Sequence, residues 1–199
     1  MPITKDERDQ VIEKILPIMD GVIAEYDFGK YPAIEYAKFK SAFSTLSESN
    51  TKIADAMKWK WGHWGKPDFP NAHKRLIIEL EKLWAKFLES GCTTSSSLTF
   101  NWWCTNLDRK TTYITVAYIT HLIHHSEPLP IIDQHNFRAM NALIGSLKPD
   151  RKSKKKPSNW NDIVTLKSFM ESLQEKLPSK NFSDIDRFLM MYGRNHVVR

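Results

Sequence analysis

An all-α fold is what this sequence predicts, and three observations predict it. Apolar residues recur at helical spacing along nearly the whole chain. Alternating strand patterns are few, and no internal repeat is visible. Glycine, at seven in 199 residues, is too scarce for a turn-rich β fold. The segments follow in order. Residues 6–25 carry Val11, Ile12, Ile15, Leu16, Met19, Val22 and Ile23 at helical spacing, with Pro17 placed to kink or split the run. Residues 34–46 carry Ile34, Tyr36, Ala37, Phe39, Phe43 and Leu46, and residues 51–59 read as a short helix. Residues 61–67, with two glycines and a proline, read as a loop. Residues 71–88 give the clearest helix, its stripe made of Leu76, Ile77, Leu80, Leu83, Trp84, Phe87 and Leu88, ending at Ser90-Gly91. Residues 93–97 are a polar connection. Helices are then expected over 100–107, 111–124, 133–144, 162–177 and 183–192, with a basic loop over 149–157. The total is about eight to ten helices.

Length suits one helical domain spanning 1–199, or two small lobes within it. Hydrophobic residues at 41% and charged residues at 26% are ordinary for a globular protein. The N-terminus is charged and lacks the apolar segment of a secretory signal. No apolar run approaches the roughly 18 residues needed to span a bilayer, so no membrane partner is expected. Cys92 and Cys104 are the only cysteines, without a CxxC pair. These features predict a reduced, cytoplasmic protein with no iron–sulfur cofactor. A net charge of +6 favours polyanionic partners, nucleic acid first.

Three groups of residues carry the chemistry. The first is Pro128-Leu129-Pro130-Ile131-Ile132-Asp133-Gln134-His135-Asn136-Phe137-Arg138. A two-proline turn after an apolar helical run delivers one carboxylate to the start of the next helix. Asp133 reads there either as a plain N-cap or as a fixed negative charge facing a cleft. His135 in the first turn reads as structural or substrate-touching, and Arg138 as the partner of a carboxylate or of a phosphate. The second group is Trp59, Trp61, His63 and Trp64, interleaved with Lys58, Lys60 and Lys66. Aromatics among lysines suit base stacking and phosphate holding. The competing reading anchors some of these tryptophans in the core. Trp102 and Trp103 fall on different faces of a helix, one inward and one freer. The third group is the run Lys148, Arg151, Lys152, Lys154, Lys155 and Lys156, either a solvated loop or a phosphate contact. His121 and His125 stand four apart on one face, but no Glu completes an H-E-x-x-H pattern, and no metal is expected. Near the end, Asp184 reads as a cap, and Asp186 with Arg187 as a surface pair.

The segment Thr115-Val116-Ala117-Tyr118-Ile119, followed by Ile131-Ile132-Asp133-Gln134-His135-Asn136-Phe137-Arg138, resembles the active-site region of the helix-hairpin-helix DNA glycosylases. That superfamily has an apolar helix with an early Ala, then a Val-Asp-Thr-His-like motif with an Arg three residues after the His. Ala117 lies sixteen residues before Asp133, which suits the family's Ala. The resemblance covers about 30 residues, and what it implies is a compact glycosylase-like domain with a cleft between two helical lobes. Asp133 would be the catalytic carboxylate. Two departures stand beside it. Where the family reads Leu-Pro-Gly-Val-Gly, this chain has Arg109-Lys110-Thr111-Thr112-Tyr113, without either glycine. Lys110 and Thr111 remain candidate DNA contacts there, but the family's backbone grip on a phosphate does not carry over. Lyase-active members have a nucleophilic Lys eighteen residues before the Asp, where this chain has Thr115.

The expected function is therefore excision of a damaged or modified base from DNA, leaving an abasic site, with no lyase step and no cofactor. Small bacterial members of such families also act in phage defence, where modified phage bases would be the target. The candidate site comprises Asp133 as the catalytic residue. Trp59, Trp61, Trp64, His63, Trp102, Trp103 and His135 are placed on the base. Arg138, Lys110, Thr111, Lys154, Lys155 and Lys156 are placed on the DNA backbone. A non-catalytic helical DNA- or RNA-binding protein is the alternative. A helical enzyme acting on a small molecule is a third reading, disfavoured by the basic charge.

Overall fold

The computed structural model describes residues 3–107, 112–148 and 156–197. Among them there is no strand; there are ten α-helices of six residues or more and a shorter one of a single turn. The chain divides into two compact units, one of Met1–Tyr26 with Pro128–Arg199, the other of Asp27–Glu127. The first unit is thus built from both ends of the chain, and the second is one continuous stretch.

The first unit holds α1 (Lys5–Ile15), α2 (Met19–Ala24), α9 (Gln134–Gly145), α10 (Trp160–Gln174) and α11 (Phe182–Asn195). Pro17 splits the first apolar run into α1 and α2, because its ring cannot continue the hydrogen-bond ladder. Four of these helices start in a reciprocal capping box: Thr4 with Glu7, Asp133 with Asn136, Asn159 with Asp162, and Asn181 with Asp184. Each box satisfies two groups that the helix end would otherwise leave open. The sequence suggests Asp184 as the cap of α11. The cap is Asn181, and Asp184 is the box's third helical residue, accepting the Asn181 N–H at 3.1 Å. Arg187, which the sequence reads as the surface partner of Asp186, bonds Asp184 at 3.0 Å, one helical turn away.

Helices α9 and α11 pack closely. A Cβ on Gly193 would fall on the carbonyl of His135 and 3.1 Å from the backbone nitrogen of Ala139. Only a residue without a side chain allows the two backbones this approach. Around the contact Ala139, Met140, Ile185, Phe188 and Leu189 are all at most 1% exposed. Full burial of a side chain such as Phe188 contributes about 1.5–3 kcal/mol relative to leaving it in water.

The second unit holds α3 (Ala33–Ser44), α4 (Leu46–Ser49), α5 (Ile53–Lys60), α6 (Asn71–Glu89), α7 (Ser96–Asn106) and α8 (Tyr113–Ile123). The α6 stripe buries Leu76, Ile77, Leu80, Trp84 and Phe87, and leaves Ile78 half-exposed on another face. Gly91, at φ +67°, ends it in the left-handed conformation that glycine adopts without a steric cost. Helix α7 begins at Ser96, inside the polar stretch expected to be a connection. Ser95 caps it, its hydroxyl accepting the Leu98 N–H at 3.3 Å, so the serine run is a helix start rather than a linker. Helix α8 is buried at Tyr113 and throughout 115–122. A helix buried on every face has no stripe to read, and such a helix is an interior one.

Gly193→Ala should destabilise the protein by about 2–3 kcal/mol, because a well-packed contact has no room for the added methyl. Gly145→Ala, at a helical glycine where an added Cβ would meet nothing within 4 Å, should be neutral or slightly stabilising. Urea unfolding of the two variants checks this pair, and equal stabilities would refute the close-contact reading.

Candidate active site and nucleic-acid interface

Asp133 is held by its own helix. Leu129 and Ile132 are buried and anchor the two-proline turn that leads into α9. Asp133 itself is extended, at φ −143°, and half-buried. One oxygen, Oδ1, accepts the backbone N–H of His135 at 2.7 Å and of Asn136 at 3.0 Å. In return Asn136 Oδ1 accepts the Asp133 N–H at 2.9 Å. Asn136 is only 1% exposed, and its amide donates to the Ile131 carbonyl at 3.2 Å and to Asp186 Oδ1 at 3.0 Å. This buried amide therefore ties the turn, the cap and α11 together. Neither Asn136 nor Asp186 stands out in the sequence as a site residue. The box spacing from Asp133 to Asn136 marks the first for a reader who looks for it; Asp186 has no local signal.

The rest of the motif lies in the same unit. His135 is half-buried, and its carbonyl is the one that faces Gly193. Arg138 donates from Nη1 to the Gly193 carbonyl at 3.0 Å. That bond occupies one of the guanidinium's five donors on a carbonyl in the last turn of α11. Thr115 and Ala117 lie on α8 in the other unit, 5% and 2% exposed.

The tryptophans separate into two sets. Trp59 is 4% exposed, donates Nε1–H to the Pro32 carbonyl at 3.1 Å, and stacks on Tyr36 and Tyr118 with centroids 5.2 and 5.9 Å away. Trp103 is fully buried against Trp84 and Phe87. Both are core residues, with no face open to a flipped base. Trp61, Trp64 and Trp102 are half-buried. Trp102 lies on Phe87 at 5.1 Å and Trp64 edge-on to Phe39 at 5.8 Å.

Trp61 and His63 join two residues that the sequence does not single out. His73, in the first turn of α6, stacks on Trp61 at 4.1 Å, and its Nδ1 is hydrogen-bonded to His63 Nε2 at 3.0 Å. Phe69 stacks on His63 at 5.7 Å. The ammonium groups of Lys58 and Lys74 each lie 5.5 Å from the centre of the Phe69 ring, a cation–π distance. The loop that brings these together turns at Gly62, φ +69°, where a Cβ would strike the Lys30 side chain and come 3.0 Å from the Tyr31 hydroxyl. Lysines and aromatic rings thus converge on one face of the second unit.

The imidazoles are electrostatically distinct. Burial pushes the His63 pKa below the usual value, and nearby His73, Lys66 and Lys30 push it the same way. Burial alone lowers His73. His124 is lowered by burial, against an opposing pull from Glu127. His124 also sits in a hydroxyl–imidazole–carboxylate array: Thr99 Oγ1 lies 2.8 Å from Nε2, and Glu127 Oε1 lies 3.4 Å from Nδ1. Thr99 is fully buried and donates its proton to the Cys92 carbonyl at 2.8 Å, so the array braces the start of α7 rather than presenting a nucleophile. His121 and His125 turn elsewhere, to the Tyr36 hydroxyl and the Leu122 carbonyl. Among the described residues no three metal-binding side chains converge. Lys110, Thr111, Lys154 and Lys155 lie outside the described residues. Lys156 is exposed.

Folding disfavours the protonated form of His63, His73 and His124, so the unfolded chain binds more protons than the folded one below the ordinary imidazole value of 6.5. Their contribution to stability is present above that value and is lost as pH falls through it toward the folded pKa values. Thermal unfolding should show Tm falling between about pH 7.5 and 5.5. The fall should be shallower in a His63→Gln, His73→Gln protein, and an identical slope would contradict the assignment.

Compared with known protein families, curated proteins and solved structures, the chain matches none of them.

Proposed function

We propose that this protein is a DNA glycosylase without lyase activity, and that Asp133 is its catalytic carboxylate. The observation that carries the reading is the fixation of Asp133. A half-buried carboxylate is held at the start of a twelve-residue helix by two backbone N–H groups, inside a box whose other member is locked to α11. Rupture of an N-glycosidic bond needs such a group. The bonding electrons leave with the base, and positive charge develops on the deoxyribose. A carboxylate in a set position stabilises that charge without reorganising, and it can accept the proton of the water that attacks C1′. The target base must first leave the stack. Trp61, half-buried on the lysine-bearing face, and Trp64, half-buried against Phe39, are the candidate rings for holding DNA, while Trp59 and Trp103 belong to the core.

Two observations favour a second reading. The cap bonds account for Asp133 on structural grounds alone, and the aromatic, lysine-rich face can hold nucleic acid without chemistry. A non-catalytic nucleic-acid-binding protein is that alternative.

An abasic-site assay on DNA carrying varied modified bases separates the two. Asp133→Asn should abolish base release and change stability by no more than about 1 kcal/mol, since Asn caps a helix nearly as well as Asp. Undiminished excision by this variant would remove Asp133 from the mechanism. Borohydride should trap no covalent complex with DNA, because Thr115 stands where lyase-active enzymes of this type carry a lysine. An adduct mapped to any lysine would overturn the single-function assignment.

A further inference from the structure

The ring ladder of the second unit has an unusual centre. Phe69, His63, His73 and Trp61 follow one another, and the middle pair is joined edge to edge by the 3.0 Å bond between His63 Nε2 and His73 Nδ1. In that bond one ring donates and the other accepts, so both imidazoles can be neutral. Cations surround them: Lys66 and Lys30 beside His63, and Lys58 and Lys74 over Phe69. The acids nearby include Asp68, paired with Lys74, Asp55, 3.9 Å from Lys58, and Asp27, whose Oδ1 accepts the Lys30 backbone N–H at 2.9 Å. Like charge and partial burial both keep a proton off the pair. An anion docked against it reverses the first effect, because its charge offsets that of the lysines and favours the imidazolium.

We propose that the His63–His73 pair, with Lys66 and Lys30 beside it, is a phosphodiester-binding site for DNA that takes up a proton when it binds. An imidazolium and two ammonium groups then face the phosphate oxygens, as charge-assisted donors. Repulsion between two adjacent imidazolium rings limits the uptake to one proton, shared by the pair. By linkage, affinity rises as pH falls through the range where the free pair is still neutral and the bound pair is charged. The gain reaches roughly tenfold per pH unit for one proton. Stacking on Trp61 and Phe69 sets the orientation of the two rings, so the site is built before the ligand arrives. The inference rests on DNA being the ligand and is independent of catalysis by Asp133.

The test is fluorescence anisotropy of the full chain carrying Asp133→Asn, with a labelled short DNA duplex at constant ionic strength, across the pH range from neutral to mildly acidic. Affinity should rise several-fold on acidification, and adding His63→Gln and His73→Gln should flatten the profile. An equal rise in the Gln variant would assign the proton to another group and overturn the proposal. Binding with no pH dependence would overturn it while leaving the DNA reading intact. No binding at any pH would end both. Proton NMR of the intact protein removes any dependence on the folding of the variant: the His63 and His73 ring signals should titrate at higher pH once DNA is added. Unmoved titrations would refute the site.

Discussion

The close approach of α9 and α11 at Gly193 is the constraint on which the first unit depends. A helix pair usually meets through side chains, with axes 8–10 Å apart. Here one backbone lies against the other, and the space a methyl would fill is occupied by the His135 carbonyl. This contact places the first turn of α9, and therefore Asp133, against a fixed surface. It also explains the use of Arg138, whose guanidinium reaches the Gly193 carbonyl from the next turn of α9. The motif residues Asp133, His135 and Arg138 are consequently parts of one packing arrangement before they are parts of any site.

Asn136 makes that arrangement specific. A buried amide left unsatisfied costs about 1–3 kcal/mol, so the placement of α9 must satisfy all of its groups together. Asn136 meets this by accepting from Asp133 and donating to Ile131 and Asp186. The capping bond at Asp133 and the tertiary bond to α11 are thus coupled through one side chain. A carboxylate supported in this way has little freedom to move, which is the property that charge stabilisation at a reacting sugar requires.

The second unit solves a different problem with aromatic residues. Its rings stack, tilt or meet edge to face at centroid distances of 4.8–5.9 Å among Trp59, Trp84, Trp102, Trp103, Phe87 and their neighbours. Such pairs add about 0.5–1.5 kcal/mol each beyond their burial. The same chemistry continues to the surface at Trp61, His63, Phe69 and His73, where lysines replace apolar neighbours. The density of tryptophan in residues 59–64 thus spans the unit's interior, at Trp59, and its half-buried surface, at Trp61 and Trp64.

Much of this fold is legible in the sequence. Apolar spacing locates α6, α9 and α11 to within a few residues, because those helices have one wet face. Pro17 and Gly91 announce their breaks through backbone sterics alone. Asp133 is legible as a helix start, since capping is a matter of neighbours two and three residues on. The start of α7 is not, because a serine run looks the same in a linker and at a cap until its hydrogen bond is known. Other features belong to tertiary structure by nature. Which tryptophans are buried depends on elements distant in sequence, as Trp59 on Pro32 and Tyr118 shows. The bond from Asn136 to Asp186 spans fifty residues, and that from His63 to His73 spans ten across a glycine turn. Local chemistry decided where helices start and stop; only the folded chain decided which side chains meet, because a contact across a turn or between helices leaves no period in the sequence.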